Sequence, residues 1–259
     1  MRVAACLSAC LAAMIVPLSC AAQQAPLASD VGLSVGREQL SNGSPDWRET
    51  QIQFNHRLAP RHLFGMSIGQ TERFGLRDSQ LGANYVLPLR PDLTVSVEGG
   101  ASGTHRVLPR HVLGAGAQWE FAPAWLLHAG ARESAYEDVH VNQGMLMLER
   151  YAGNASASLA WRPARALGTT AHAFEARGNY YYGERSAIGL ILAAGEEAAN
   201  VAGAAPGTAA VVITRVKAAA LTGHHWLDRR WAVNYGISRT RQGDLYSRNG
   251  INLGLQYAF

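Results

Sequence analysis

Nine histidines are the first place to look for hydrolytic chemistry in this 259-residue chain. A His with a Ser two residues further along a strand puts both side chains on one face, where the imidazole can take the hydroxyl proton and create a nucleophile. No histidine here has Ser at that spacing. Asp138-Val-His140 offers a carboxylate that would orient an imidazole to activate water. The Asp-x-Asp pair that would complete such a site occurs nowhere, so the segment reads as a polar loop. His224 and His225 are adjacent and point to opposite faces of a strand, so they do not converge on a metal. No Gly-rich phosphate loop opens a helix. These patterns predict no enzyme, no metal and no cofactor.

Charge is the other chemical resource. Glu98, Glu120, Arg132, Glu175 and Arg177 alternate with apolar neighbours and are expected on one inward face. Arg215 and Lys217 join them if Val212 and Val216 face outward. Opposite charges enclosed in this way must pair. They either fill and stiffen an interior or line a narrow, weakly selective passage. Arg73 and Asp78 are a candidate pair near one rim.

The elements that would hold these charges are strands. Val31, Leu33 and Val35 alternate with Gly and Ser, and Leu113 to Phe121 alternate with Gly, Gln and Glu. Ile251, Leu253, Leu255, Tyr257 and Phe259 share one face of the last nine residues, which end the chain on an aromatic. Period-two segments of this kind number fourteen, or twelve if two weak ones merge. Residues 139–149 are weak because Leu146 and Leu148 spoil the alternation. The expected architecture is all-β: an antiparallel, transmembrane up-and-down β-barrel closed by a Leu253/Leu255/Tyr257/Phe259 face. Tight connections are expected at Ala59–Arg61, Arg90–Asp92, Ala122–Ala124, Gly153–Asn154, Gly183–Arg185 and Asp228–Arg230, with the longest loop at Glu196–Gly207. Aromatics such as Trp119, Trp125, Trp231 and Tyr257 gather toward the tight-turn boundary, and Trp47 and Trp161 toward the other.

Residues 1–22 read as a secretory leader, with Arg2, an apolar stretch from Val3 to Val16, and Ser19-Cys20-Ala21-Ala22 before a cut at Gln23. Residues 23–259 then form the barrel domain. All three cysteines lie in the leader, so the mature chain carries no thiol. A lipidated Cys20 is the competing reading, with Pro17 where an aliphatic residue is normal. Export and a barrel together predict the outer membrane of a Gram-negative cell. Arg239 and Arg241 continue the outward phase of Trp231–Ile237 and are expected to contact lipopolysaccharide phosphates, the alternative being snorkelling to water. The closing strand is the expected recognition signal for the barrel-assembly machinery. The pI near 9.1 does not indicate nucleic acid, because basic residues are scattered singly with no interleaved aromatics.

Several segments in order resemble the YaiO family of outer-membrane β-barrels: Arg73-Phe74-Gly75 with Asp78, Tyr136 with Asp138-Val139, Tyr151 with Gly153, Gly195-Glu196, and the closing Gly254–Phe259. The resemblance spans roughly residues 30–259 and implies a barrel in the outer membrane without a defined activity. The expected role is structural or partner-docking, around a narrow charged lumen. A small-solute or glycan-export pore is the alternative, with an envelope glycan as possible partner; a surface hydrolase comes last.

Overall fold

Two kinds of residue alternate along every strand, and the alternation bends a sheet until it meets itself. The computed structural model describes residues 28–137, 139–202 and 209–259, without the side chains of 197–202 and 209–213. Fourteen strands follow in chain order: β1 (Ser29–Leu40), β2 (Trp47–Ala59), β3 (His62–Arg73), β4 (Leu76–Arg90), β5 (Leu93–Ser102), β6 (His111–Ala122), β7 (Trp125–Ala135), β8 (His140–Ala152), β9 (Ala155–Ala166), β10 (Thr169–Tyr182), β11 (Ser186–Ala202), β12 (Ala209–Trp226), β13 (Trp231–Gln242) and β14 (Tyr246–Ala258). Each pairs antiparallel with its sequence neighbours, and β1 pairs with β14. Closure gives every ladder a partner, which a sheet in hydrocarbon requires because no water is available there.

The outward phase is apolar to a degree that water would not tolerate. Leu113, Leu159 and Ile237 are 60%, 68% and 59% exposed. Such residues recur on the outer face of every strand pair, forming a belt rather than isolated spots. At the seam, Leu253, Leu255 and Tyr257 lie opposite Val35, Leu33 and Val31. The Ser29 N–H donates to the Phe259 carbonyl at 3.0 Å, and the Phe259 N–H to the Ser29 carbonyl at 2.8 Å.

Six tight turns lie at one end, as the sequence predicts. Three are built alike, with Pro60-Arg61, Pro91-Asp92 and Pro123-Ala124 as two-residue connections and a register shift in the strand before each. Proline fixes φ for the first turn residue. Arg61 and Ala124 then take the left-handed conformation, at φ 61° and 64°. With both termini on the periplasmic side, these are periplasmic turns. The weak segment near residues 139–149 is the complete strand β8.

The loop expected at Glu196–Gly207 is shorter than that. β11 and β12 continue their register to Ala202↔Ala209, because Ala-rich chain extends a hairpin as readily as it forms a loop. Residues 203–208 and residues 1–27, with the expected leader and Cys20, lie outside the described residues.

Candidate functional site: the lumen and its outer mouth

The inward phase carries the charges, and glycines give them room. Glu98, Gly114 and Arg132 occupy one row across β5, β6 and β7. Glu98 lies over Gly114, where a Cβ would come within 2.6 Å of its Oε1, and pairs with Arg132 at 3.4 Å. On the neighbouring wall, Glu175 is buried and accepts from Arg177 at 3.0 Å, with Arg162 at 3.5 Å. Arg162 is absent from the sequence-derived set, although its phase in β9 and its diagonal position to Glu175 mark it for the same cluster. His128 and Glu149 add a third contact at 3.1 Å. Glu120 also takes the inward phase but sits at the periplasmic end, where its carboxylate accepts the Ala124 N–H at 3.3 Å.

From β13 round to β4 amides dominate the wall, and two carboxylates share their rows: Asp30, which accepts from Asn55 at 2.9 Å, and Glu49, in the row of Gly36 and Asn252. Gln51, Gln53, Asn55, Asn84, Asn234 and Asn252 present amides between Gly and Ser residues. Gly65 separates Asn55 from Asn84 in one row, and a Cβ there would press on both amides. These side chains are half-buried or exposed, as in a wet interior. The Arg132 and Glu98 side chains are 40% and 31% exposed, which agrees with water at this height.

One sector of the outer mouth is packed. Trp47, Leu40 and Tyr246 are buried together where β2, β1 and β14 meet, with Phe74 against them. The Trp47 ring lies between two guanidinium groups, Arg73 at 4.8 Å and Arg248 at 4.4 Å from its centroid, and Arg248 is held by Glu38 at 3.1 Å. Trp47 therefore sits inside the wall and not in a lipid-facing belt, since its register partner Glu38 has the inward phase. Cation–π contact and burial compensate a site where a lipid-facing indole would have no cation.

Asp78, on the inward phase of β4, pins the loop between β5 and β6. Its Oδ2 accepts the N–H groups of Val107 at 2.6 Å and Leu108 at 2.9 Å, and its Oδ1 lies 3.6 Å from Arg106 Nε. The Arg106 guanidinium also donates to the Arg77 carbonyl. Arg73 and Asp78 thus occupy one rim, Arg73 over the ring of Trp47 and Asp78 bonded to loop 103–110.

Arg215 and Lys217 require a correction. β12 runs without a register shift from Leu221, which is exposed opposite Leu190, through Lys217 to Arg215. Both cations therefore take the outward phase and Val216 the inward one. The expectation assumed that charge avoids the outer face, but the β11–β12 hairpin continues past Leu192 and Leu221, the last large apolar residues exposed on its outer face among the described side chains, so charge above them can reach headgroups or water. Arg239 and Arg241 share the outward phase of exposed Ile237. The side chain of Val212 lies outside the described residues.

The histidine motifs separate in the same way. His140 Nδ1 is 2.8 Å from Glu133 Oε1 on an exposed surface, and Asp138 lies outside the described residues. His225 stacks on Tyr182 while His224 turns inward to Asn234. Among the described residues no three His, Cys, Asp or Glu side chains group as metal ligands.

The sequence profile of the YaiO membrane beta barrel domain matches residues 28–200. No curated protein matches by sequence. Among solved structures, the bacterial polysaccharide outer membrane secretin is similar at TM-score 0.63 and 8% identity, covering 91% of this chain and 100% of that one. The CymD monoaromatic hydrocarbon channel is similar at 0.61 and 8%, covering 91% and 90%. Omp33 of Acinetobacter baumannii is similar at 0.53 and 10%, covering 91% and 100%. At these identities the likeness is one of fold.

Proposed function

Because this chain belongs to the YaiO membrane β-barrel family, we propose that it works in the outer membrane as a non-enzymatic, narrow passage for small neutral hydrophilic solutes. The observation that carries this reading is the division of the lumen wall at mid-height. Amides and hydroxyls dominate it from β13 to β4, with Asp30 bonded by Asn55 and Glu49 closer to the outer mouth. From β5 to β10 Glu98 pairs with Arg132 and Glu175 with Arg177 and Arg162, while Glu149 is bonded to His128. An amide offers both donor and acceptor, so it can replace water around a sugar hydroxyl without demanding charge. Paired charges leave a weak net field and so little ion selectivity.

Swelling of proteoliposomes in isotonic neutral sugars tests this reading. Faster swelling with monosaccharides than with charged solutes of equal size supports it, and rates equal to protein-free vesicles refute it. Neutral oligosaccharides of increasing length extend the same assay to glycan export. The packed sector of the outer mouth around Trp47 favours a second reading, a structural or docking barrel that does not conduct at rest, and that reading predicts no swelling. The same account assigns residues 1–22 to a removed leader, which sequencing of the mature N-terminus from Gln23 would support. It assigns the closing strand to recognition by the barrel-assembly machinery.

A further inference from the structure

The lipid-facing surface holds a second feature, independent of the lumen. Lys217 and Arg241 are direct cross-strand partners on the outward phase of β12 and β13, and Arg239 is opposite Ala219 one step lower on the same face. All three are exposed. Arg241 approaches Asp244 at 3.4 Å, and Glu196 is the register partner of Arg215. Lys217 and Arg239 form no ion pair among the described residues. Just below them the face turns apolar at Leu221 and Ile237. The cations therefore lie at the height where hydrocarbon gives way to headgroups.

Beside this patch is an open groove of about 550 Å³ on β7–β11, where Ala176 lies between Leu159 and Leu192 in the ladder and Ala194 lies beside Phe174. The two features touch. Ala194, in the groove, is the cross-strand partner of Lys217, and Leu192 is the partner of Ala219, which in turn is the partner of Arg239. The ladder row that contains Leu148, Leu159, Ala176 and Leu192 continues through Ala219 to Arg239. Along it the position rises from near the periplasmic end of β8 to near the outer end of β13.

We propose that this juxtaposition is a binding site for one outer-leaflet lipopolysaccharide molecule, with phosphate on Lys217, Arg239 and Arg241 and an acyl chain in the groove. Guanidinium groups match phosphate geometry, and an ammonium adds a compact charge. Small residues between larger ones accommodate a chain that an all-leucine face would exclude. The occupant must supply both anionic oxygens and hydrocarbon at outer-leaflet depth, and lipopolysaccharide does so.

The test is native mass spectrometry of the detergent-extracted barrel, titrated with purified lipopolysaccharide and, separately, with phosphatidylglycerol. Two variants are compared with the unaltered chain: Lys217→Ala/Arg239→Ala/Arg241→Ala, and Ala176→Phe, which fills the groove and leaves the cations in place. Heat-modifiable migration on gels confirms that each is folded. Expected is selective retention of lipopolysaccharide by the unaltered protein, with at least a tenfold loss in the triple variant and a loss in Ala176→Phe. Unchanged retention in the triple variant, or equal retention of phosphatidylglycerol by the unaltered protein, overturns the assignment.

Discussion

Glu98 and Arg132 stand two strands apart, and their 3.4 Å ion pair passes over Gly114 on the strand between them. The glycine's missing Cβ is the space in which the pair forms. At Gly189, between Asn179 and Thr222, and at Gly65, between Asn55 and Asn84, the two neighbouring side chains likewise reach over the missing Cβ. A lumen of this kind is wet yet ordered: small residues set the spacing, and polar side chains occupy the space above them.

Gly114→Ala should therefore uncouple the pair. Both partners are partly exposed, so their coupling is expected at about 0.5–1 kcal/mol. A double-mutant cycle of Glu98→Gln and Arg132→Gln, read by urea unfolding, should give that value in the parent. It should give a value near zero on the Gly114→Ala background.

Asp78→Ala should free loop 103–110. Each hydrogen bond from a backbone N–H to a buried carboxylate contributes about 1.5–3 kcal/mol. Losing the Val107 and Leu108 contacts should raise local opening by roughly tenfold or more. Trypsin cleavage after Arg106 or Arg110 should accelerate accordingly, with no change in heat-modifiability.

Two outer turns share one backbone and should respond oppositely to one substitution. Phe74-Gly75 and Leu167-Gly168 both hold two left-handed residues, at φ 53° and 76° and at φ 50° and 75°. Leu167 is exposed, so Leu167→Asn should stabilise by about 1 kcal/mol through relief of an unfavourable conformation. Phe74 meets Trp47 edge-on at 5.3 Å. Phe74→Asn should destabilise by about 1–2 kcal/mol, because the lost ring contact outweighs the same relief. Midpoints in urea would check both.

The turn between β12 and β13 should respond to acid. The Asp228 carboxylate accepts the N–H groups of Trp231 and Arg230, each at 2.7 Å, and these bonds hold its pKa below the usual carboxylate range. A depressed folded pKa means that this contribution is complete above the ordinary carboxylate value and fades as pH falls through the lowered one. Amide exchange at Trp231, corrected for intrinsic rates, should quicken only in that acidic window. Asp228→Ala should show the quickened rate throughout.

Most of the barrel was legible because period two is a rigid rule. Leu253 and Leu255 cannot face lipid unless Gly254 and Gln256 face the lumen, and the same parity places Glu98, Arg132, Glu175 and Arg177. Parity fails as a guide where its premise fails. Charge alone argues for an inward Arg215 and Lys217, yet β12 carries both past Leu221, its last large exposed apolar residue among the described side chains, and charge there carries no information about face. Topology places Trp47 at the outer rim, where it lies, but does not decide the face it takes. Its cage of Arg73 and Arg248 joins β2 to β3 and β14, and no local pattern announces contacts between residues 200 positions apart. The attachment of loop 103–110 to Asp78 is equally non-local, made through backbone N–H groups that every residue type shares.

Single-channel recording of the folded protein in planar bilayers tests the central claim most directly. The account predicts small, discrete conductance steps with potassium and chloride permeabilities near parity, as a lumen of amides and neutralised charges requires. Silence at every voltage, with folded barrels shown to be present in the membrane, would contradict it.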